Sequence, residues 1–425
     1  MFQTMKQLFA PTNKDLRTRI LFTLGALMIF VIGTSIRVPG TTEITRNLGF
    51  LELMNAMGGG GLKNFSIFAL GVMPYITASI IMQLLQLDIV PYFSELAKEG
   101  PVGRQKINQI TRYMGIIFAF IEGFAFSFVF FNASTAMEHL YIATILTAGT
   151  AFTLWLGDQI TKKGIGNGMS LIIMAGIIKE LPTMFVLAFT GLILESELAL
   201  WLGILLFVLF VIVYFLIIIG VIWVQEADRN IPIQYANKST SAYGNSQSHM
   251  PIKINSAGVV PVIFASSFLM IPSTIAQFSG KEGFINFCNS YLSYNTPVGF
   301  IIYIVLIFFF GYFYTFIQIK PEELAKNLQQ NGGFIPAVRP GKETENYVSK
   351  VLSRLTVVGS IFLIIIAGLP IIFTAILNLA GITLASQVTI GGTGLLIVVG
   401  VALETYKQLE GSLVTRSYKK SYRRK

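Results

Sequence analysis

The sequence predicts an all-α membrane protein in which ten helices cross the bilayer. Three observations point there. Of 425 residues, 53% are hydrophobic and only 12% charged, where a soluble domain carries about 25% charged residues. Ten apolar runs approach the roughly 20 residues that a helix needs to span a hydrocarbon core. Lysines and arginines gather on alternate loops. Glycine (39 residues) and phenylalanine (35 residues) are abundant, as expected where helices pack closely in lipid. The single Cys288 excludes an internal disulfide framework.

The first run covers about 20–36 and follows Lys6, Lys14, Arg17 and Arg19. Arg37 and Pro39 come next with no small-x-small cleavage site, so it reads as an uncleaved span rather than a signal peptide. The second, 65–86, is preceded by four glycines and interrupted by Gly71 and Pro74. The third, 114–133, holds Glu122, and the fourth is 140–160. The fifth, 168–191, carries Lys179, Glu180 and Pro182, whereas the sixth, 201–224, has no charge. The seventh, eighth and ninth are 257–278, 298–319 and 355–380. The tenth, 392–409, is short and includes Glu404. Strands are not expected, because these runs are too long and do not alternate.

Lysine and arginine set the orientation. Of 31 such residues, 26 fall on the side of the N-terminus, and only Arg37, Arg46, Lys63 and Lys281 on the other. Lys179 lies within a span. Both termini are therefore expected in the cytoplasm, and topology absorbs most of the net charge of +10. Ten spans divide into an N-terminal half, 1–191, and a C-terminal half, 192–425. An odd number per half inverts the second relative to the first, an arrangement that can place a pathway between halves. The largest cytoplasmic loops, 225–256 and 320–354, read as ordered projections; the second has turn signals at Asn331-Gly332-Gly333 and Arg339-Pro340-Gly341.

Reactive chemistry is sparse. His139 and His249 are predicted on opposite sides of the membrane, and no HExxH, CxxC, GxSxG or GxxxxGK[ST] occurs. The chain is expected to be no enzyme and to need no cofactor or metal. Glu122 is the one clear mid-span charge. Such residues are functional suspects, but one carboxylate with no obvious partner fits a protonated or hydrogen-bonded group facing other helices. A secondary transporter also uses broken helices and inverted halves, yet it needs several convergent polar groups.

The broken second segment carries more information. Gly58, Gly59, Gly60 and Gly61 have low helix propensity and read as a hinge. Leu62 to Leu70 is long enough for about two helical turns. Gly71 and Pro74 then interrupt before a helix resumes at Tyr75. A break at membrane depth fits either a cavity or an ordinary proline kink.

At this point a resemblance enters. "GGGGLKNFSIFALGVMPYITASIIMQLL" (Gly58–Leu85) resembles the plug and second span of the SecY family, the central subunit of the bacterial protein-export channel. "GIGNGMSLIIMAGI" (Gly164–Ile177), "INSAGVVPVIFASSFLMIP" (Ile254–Pro272), "NGGFIPAVRPG" (Asn331–Gly341) and "GGTGLLIVVGVALE" (Gly391–Glu404) resemble further signatures, in the family's order. The resemblance covers nearly the whole chain. It implies a protein-conducting channel in the bacterial plasma membrane that passes unfolded preproteins and releases apolar segments sideways into the lipid bilayer. It implies a plug at Leu62, Lys63, Asn64, Phe65, Ser66, Ile67, Phe68, Ala69 and Leu70, hinged at the glycines and held by few contacts. It implies an apolar pore ring at Ile76, Ile80, Ile173, Ile263 and Ile397, with Leu395 beside it. The second and seventh spans would form a lateral gate, where Pro261, Pro272, Ser266 and Ser267 weaken the seam.

SecE-like and SecG-like subunits are implied partners, with the ribosome or the motor ATPase SecA docking through Lys238, Arg339 and Lys342. Signal sequences would be recognised in the channel. The 225–256 loop departs from the family pattern, with Lys238 alone among polar residues, which keeps open an accessory SecY paralogue for selected substrates.

Overall fold

The computed structural model describes residues 14–44, 51–86, 90–131, 135–194, 199–235, 248–279, 281–293, 296–379 and 386–423. Helix α1 (Lys14–Gly33) is followed by a short helix, α2 (Glu52–Met57), and by α3 (Met73–Leu85). Next come α4 (Pro91–Lys98), α5 (Pro101–Phe130), α6 (Ala136–Lys163) and α7 (Gly168–Phe189), which ends in one π turn at Thr190–Leu194. The second part of the chain holds α8 (Leu200–Glu226), strands β1 (Asp228–Tyr235) and β2 (Ser248–Lys253), α9 (Val260–Ser279) and α10 (Glu282–Phe287). It closes with α11 (Pro297–Gln318), α12 (Pro321–Gln330), β3 (Gly333–Phe334), α13 (Lys342–Leu379) and α14 (Ser386–Arg423).

Helix starts follow local chemistry. Proline occupies the first turn of α3, α4, α5, α11 and α12, where its missing N–H costs nothing. Asn167 caps α7, its Oδ1 accepting from Met169 N at 3.1 Å, and Thr296 Oγ1 caps α11 by accepting from Gly299 N at 3.3 Å. Seven described helical stretches are long and apolar enough to cross a membrane, beginning at Lys14, Pro101, Ala136, Gly168, Leu200, Pro297 and Lys342. Helix α3 and the first part of α9 are shorter apolar helices. The chain is thus a multi-pass membrane protein.

The packing order is regular. In the first part, α5 lies between α3 and α6, α6 packs on α7, and α1 covers α6 and α7. In the second, α11 lies between α9 and α13, α13 packs on α14, and α8 covers α13 and α14. The parts meet along two seams. The larger joins α7 to α14; the thinner joins α9 to α3 and α5.

Two expectations are corrected here. The second span is helical only from Met73, so Pro74 begins a helix instead of kinking one. And the fold is not wholly helical: β1 pairs with β2 and β3 in an antiparallel sheet of order β2-β1-β3. This sheet joins the two large loops. Ile231, Ile252, Ile335, Val348 and Leu352 form a small core beneath it, separate from the core among the spans.

Candidate functional site

The ring residues come from four helices. Ile76 and Ile80 lie one turn apart on α3 and share a face; Ile173 is on α7, Ile263 on α9, and Leu395 and Ile397 on α14. All six are buried, from 2% to 9% exposed, within one apolar core. Ile173, Ile263 and Ile397 also line a cavity of about 210 Å³. Its other walls include Gln225, Lys253, Asn255, Gln318, Glu404 and Lys407. Lys253 belongs to β2, so the cavity lies at the end of the bundle that carries the sheet. Lys407 Nζ is 2.9 Å from Glu226 Oε1, which leaves the wall mixed in charge. Ile76, Ile80 and Leu395 share the core but do not line this cavity. Polar and charged walls thus share one cavity with branched aliphatic side chains, which offer no hydrogen bonds and disfavour water and ions.

The residues expected to form a helix after the glycines do not. Leu62–Leu70 runs as a series of turns, and the helix of this region, α2, precedes the glycines. The backbone explains why. Gly59, Gly60, Phe65 and Gly71 have φ of +64°, +74°, +45° and +53°, left-handed values that end any right-handed helix. The segment pairs instead with the chain after α1. Val38 N donates to Phe65 O at 3.0 Å, Ile67 N to Ile36 O at 2.9 Å, and Ile44 N to Lys63 O at 2.9 Å.

The reason for the glycines also changes. All four are buried. A β-carbon at Gly59 would lie 3.2 Å from Gly176 Cα, and one at Gly60 would collide with the Glu180 carboxylate. Gly59 permits backbone-to-backbone contact with α7 and Gly60 leaves room for the Glu180 side chain, so these glycines are not slack in this packing. Nor are the anchoring contacts few. Leu62, Phe65, Ser66 and Ala69 are fully buried, and the Phe68 ring covers Gly33 and stacks on Phe30 and Phe152. Within the segment Lys63 is exposed, and Asn64 and Ile67 are half-buried.

Other predicted residues are placed as follows. Ser266 Oγ donates to Ile263 O at 2.8 Å within α9, while Ser267 Oγ is buried without a partner. Glu122 is half-buried on α5 and makes no hydrogen bond or ion pair among the described residues. Arg339 is exposed on the turn between β3 and α13, and Lys342 is exposed at the first position of α13; Arg339 O accepts from Thr344 Oγ1 at 2.8 Å. Lys238 lies outside the described residues.

Sequence reasoning missed an ion pair. Arg112 Nη1 on α5 and Asp158 Oδ2 on α6 are 2.6 Å apart. The only sequence signal was an aspartate near a predicted span end. It also missed the reach of Lys179, whose Nζ donates to Thr34 Oγ1 at 2.8 Å and Ser35 Oγ at 3.4 Å at the C-terminal end of α1.

Comparisons with known proteins agree with this geometry. A family model described as SecY matches residues 66–406. The protein translocase subunit SecY of Staphylococcus epidermidis RP62A is 48% identical over 436 residues, covering 99% of each chain. A solved structure described as a protein conducting channel superposes with a TM-score of 0.64 at 20% identity, covering 93% of this chain and 92% of the other. Sec61 in a canine ribosome–channel complex from the endoplasmic reticulum gives 0.62 at 20% identity over 93% and 92%. At those identities the structural likeness speaks for the fold alone.

Proposed function

The chain belongs to the SecY family, channel subunits of the protein translocase and not enzymes, and from that premise we propose how its own residues seal and open the conduit. Ten spans form two inverted halves, 1–191 and 192–425, about a central pore. The repeated packing order supports this, since α1, α3, α5, α6 and α7 neighbour one another as α8, α9, α11, α13 and α14 do. The membrane is the bacterial plasma membrane, with both termini cytoplasmic.

Ile76, Ile80, Ile173, Ile263, Leu395 and Ile397 act as the pore ring. The observation that carries this is their common burial in one core with contributions from both halves, three of them, Ile173, Ile263 and Ile397, lining the polar-walled cavity. The segment Leu62–Leu70 acts as the plug, closing the ring from the opposite side. Entry of a signal sequence parts the thinner seam, α3 and α5 against α9, as a lateral gate. An apolar segment then leaves sideways, because central Leu or Ile gains about 0.3–0.6 kcal/mol in lipid while Lys or Asp costs about 2.5–3.5.

The channel holds no energy source of its own, so SecA or a ribosome drives transport from the sheet-bearing face, where Arg339 and Lys342 are exposed. The canine complex, ribosome-bound, supports a ribosomal partner. SecE-like and SecG-like subunits complete the assembly. The test uses a stalled preprotein carrying a photoreactive or thiol-reactive probe, in a Cys288→Ser background with single cysteines at Ile76, Ile263 or Val208. Capture at Ile76 and Ile263 but not at Val208, which is 50% exposed on α8, is the expected result. Equal capture at all three would sink the ring assignment.

A further inference from the structure

Lys179 is a charge placed within a predicted span, and such a residue needs a reason. Its surroundings supply one. The backbone of α7 meets the glycine segment directly: Gly176 sits against Met57 O and Gly59 N. One turn further on, the Lys179 stem passes over Gly59, its Cδ 3.5 Å from the position a β-carbon would take there. Its ammonium then reaches α1. Thr34 Oγ1 accepts from it at 2.8 Å while donating to Val31 O at 2.7 Å, and Ser35 Oγ accepts at 3.4 Å. Thr34 is fully buried, so the bond is shielded on one side from competing water.

The neighbouring Glu180 carboxylate lies over Gly60. Lys179 thereby ties α1 to α7 across the very residues that lead into the plug segment. Just beyond the tie, the Phe68 ring of that segment covers Gly33, the last residue of α1. A plug that leaves must draw Phe68 off Gly33 and slide Gly59 and Gly60 from under Lys179 and Glu180.

We propose that Lys179 is a positioning residue that clasps the outer end of α1 to α7 over Gly59, and so sets how readily the plug segment is displaced. This rests on the channel reading above. The clasp is a strap across the plug's leading glycines, not a contact of the pore itself. Its strength fixes a threshold: a strong signal sequence supplies enough binding energy to overcome it and a weak one does not.

The test reconstitutes the full chain with its partner subunits in proteoliposomes. Lys179→Met keeps an unbranched apolar stem but removes the ammonium; Thr34→Val removes the acceptor from the other end. Two quantities are read: resting ion leak, and export of a preprotein with a defective signal relative to one with an intact signal. Each variant is expected to raise both roughly tenfold, the scale of one charge-assisted hydrogen bond. The double variant should do no more than Lys179→Met alone, since that change already removes the bond that Thr34→Val removes, and Lys179→Arg should restore the seal. If Lys179→Met is not recovered from the membrane, Thr34→Val carries the test alone. Unchanged leak and stringency in the recoverable variants, or fully additive effects, would overturn the clasp. Failure of the wild-type chain to export the intact preprotein would overturn the channel reading instead.

Discussion

Ile397 is 2% exposed on α14 and lines the polar-walled cavity together with Ile173 and Ile263. Replacing it by asparagine puts an amide where aliphatic side chains surround it, at about 1–3 kcal/mol when no partner is met. Opening the waist to water relieves that penalty, so Ile397→Asn should favour the open state. Planar-bilayer conductance is expected to rise, along with export of signal-defective preproteins; unchanged values would count against its place in the ring. No isoleucine of the ring stands out by type or spacing, since any apolar span is rich in them. Only the family resemblance singled them out, and what the fold adds is that they are buried in one core. The glycines show the converse. Their presence was legible, but the packing of Gly59 and Gly60 was not, because the residues they face, Gly176 and Glu180, are more than a hundred positions away.

Among elements, the long helices were read correctly because a run of apolar residues in lipid has few alternatives. Two kinds of element escaped. The segment after Gly61 has helical propensity residue by residue, yet left-handed turns at Gly60, Phe65 and Gly71 and pairing with residues 36–44 override it. Helix ends also hid polar partners. Arg112 and Asp158 lie on different helices, at side-chain exposures of 37% and 19%, and neither sequence neighbourhood signals the other. The pair braces α5 against α6, and α5 in turn supports α3 and its ring residues, with Gly115 touching the Tyr75 backbone. Asp158→Asn leaves a guanidinium unpaired in a partly shielded place. It should lower stability by about 1–3 kcal/mol, allowing for the exposure of Arg112. Adding Arg112→Gln should recover part of that loss. Thermal unfolding in detergent, followed for the two single variants and the double, measures the coupling; strict additivity would show that the brace carries no energy.

At the scale of the molecule, the two largest apolar cores among the described residues imply two separable tasks. The larger holds the spans and the ring; the smaller holds the sheet, with Ile231, Ile252 and Ile335 packed on the first turns of α13 at Val348 and Leu352. Helix α13 links them: its 38 residues extend for about 57 Å, well beyond a bilayer's hydrocarbon core. The sheet was hard to read because its third strand has two residues and pairs with a strand almost a hundred positions earlier. Only the Ile231–Pro232–Ile233 alternation hinted at β1, whose two isoleucines are buried. Under the proposed function docking partners meet the smaller core and ions meet the larger, so damage to one should spare the other. Leu352→Ala removes a fully buried side chain from the smaller core, a change that costs about 2–5 kcal/mol. It should speed proteolysis within 225–256 and 320–354 and weaken export driven from the cytoplasmic face, while resting ion conductance stays at the wild-type level. A rise in conductance that tracks the loss of protease resistance would mean that the sheet and the seal are one cooperative unit.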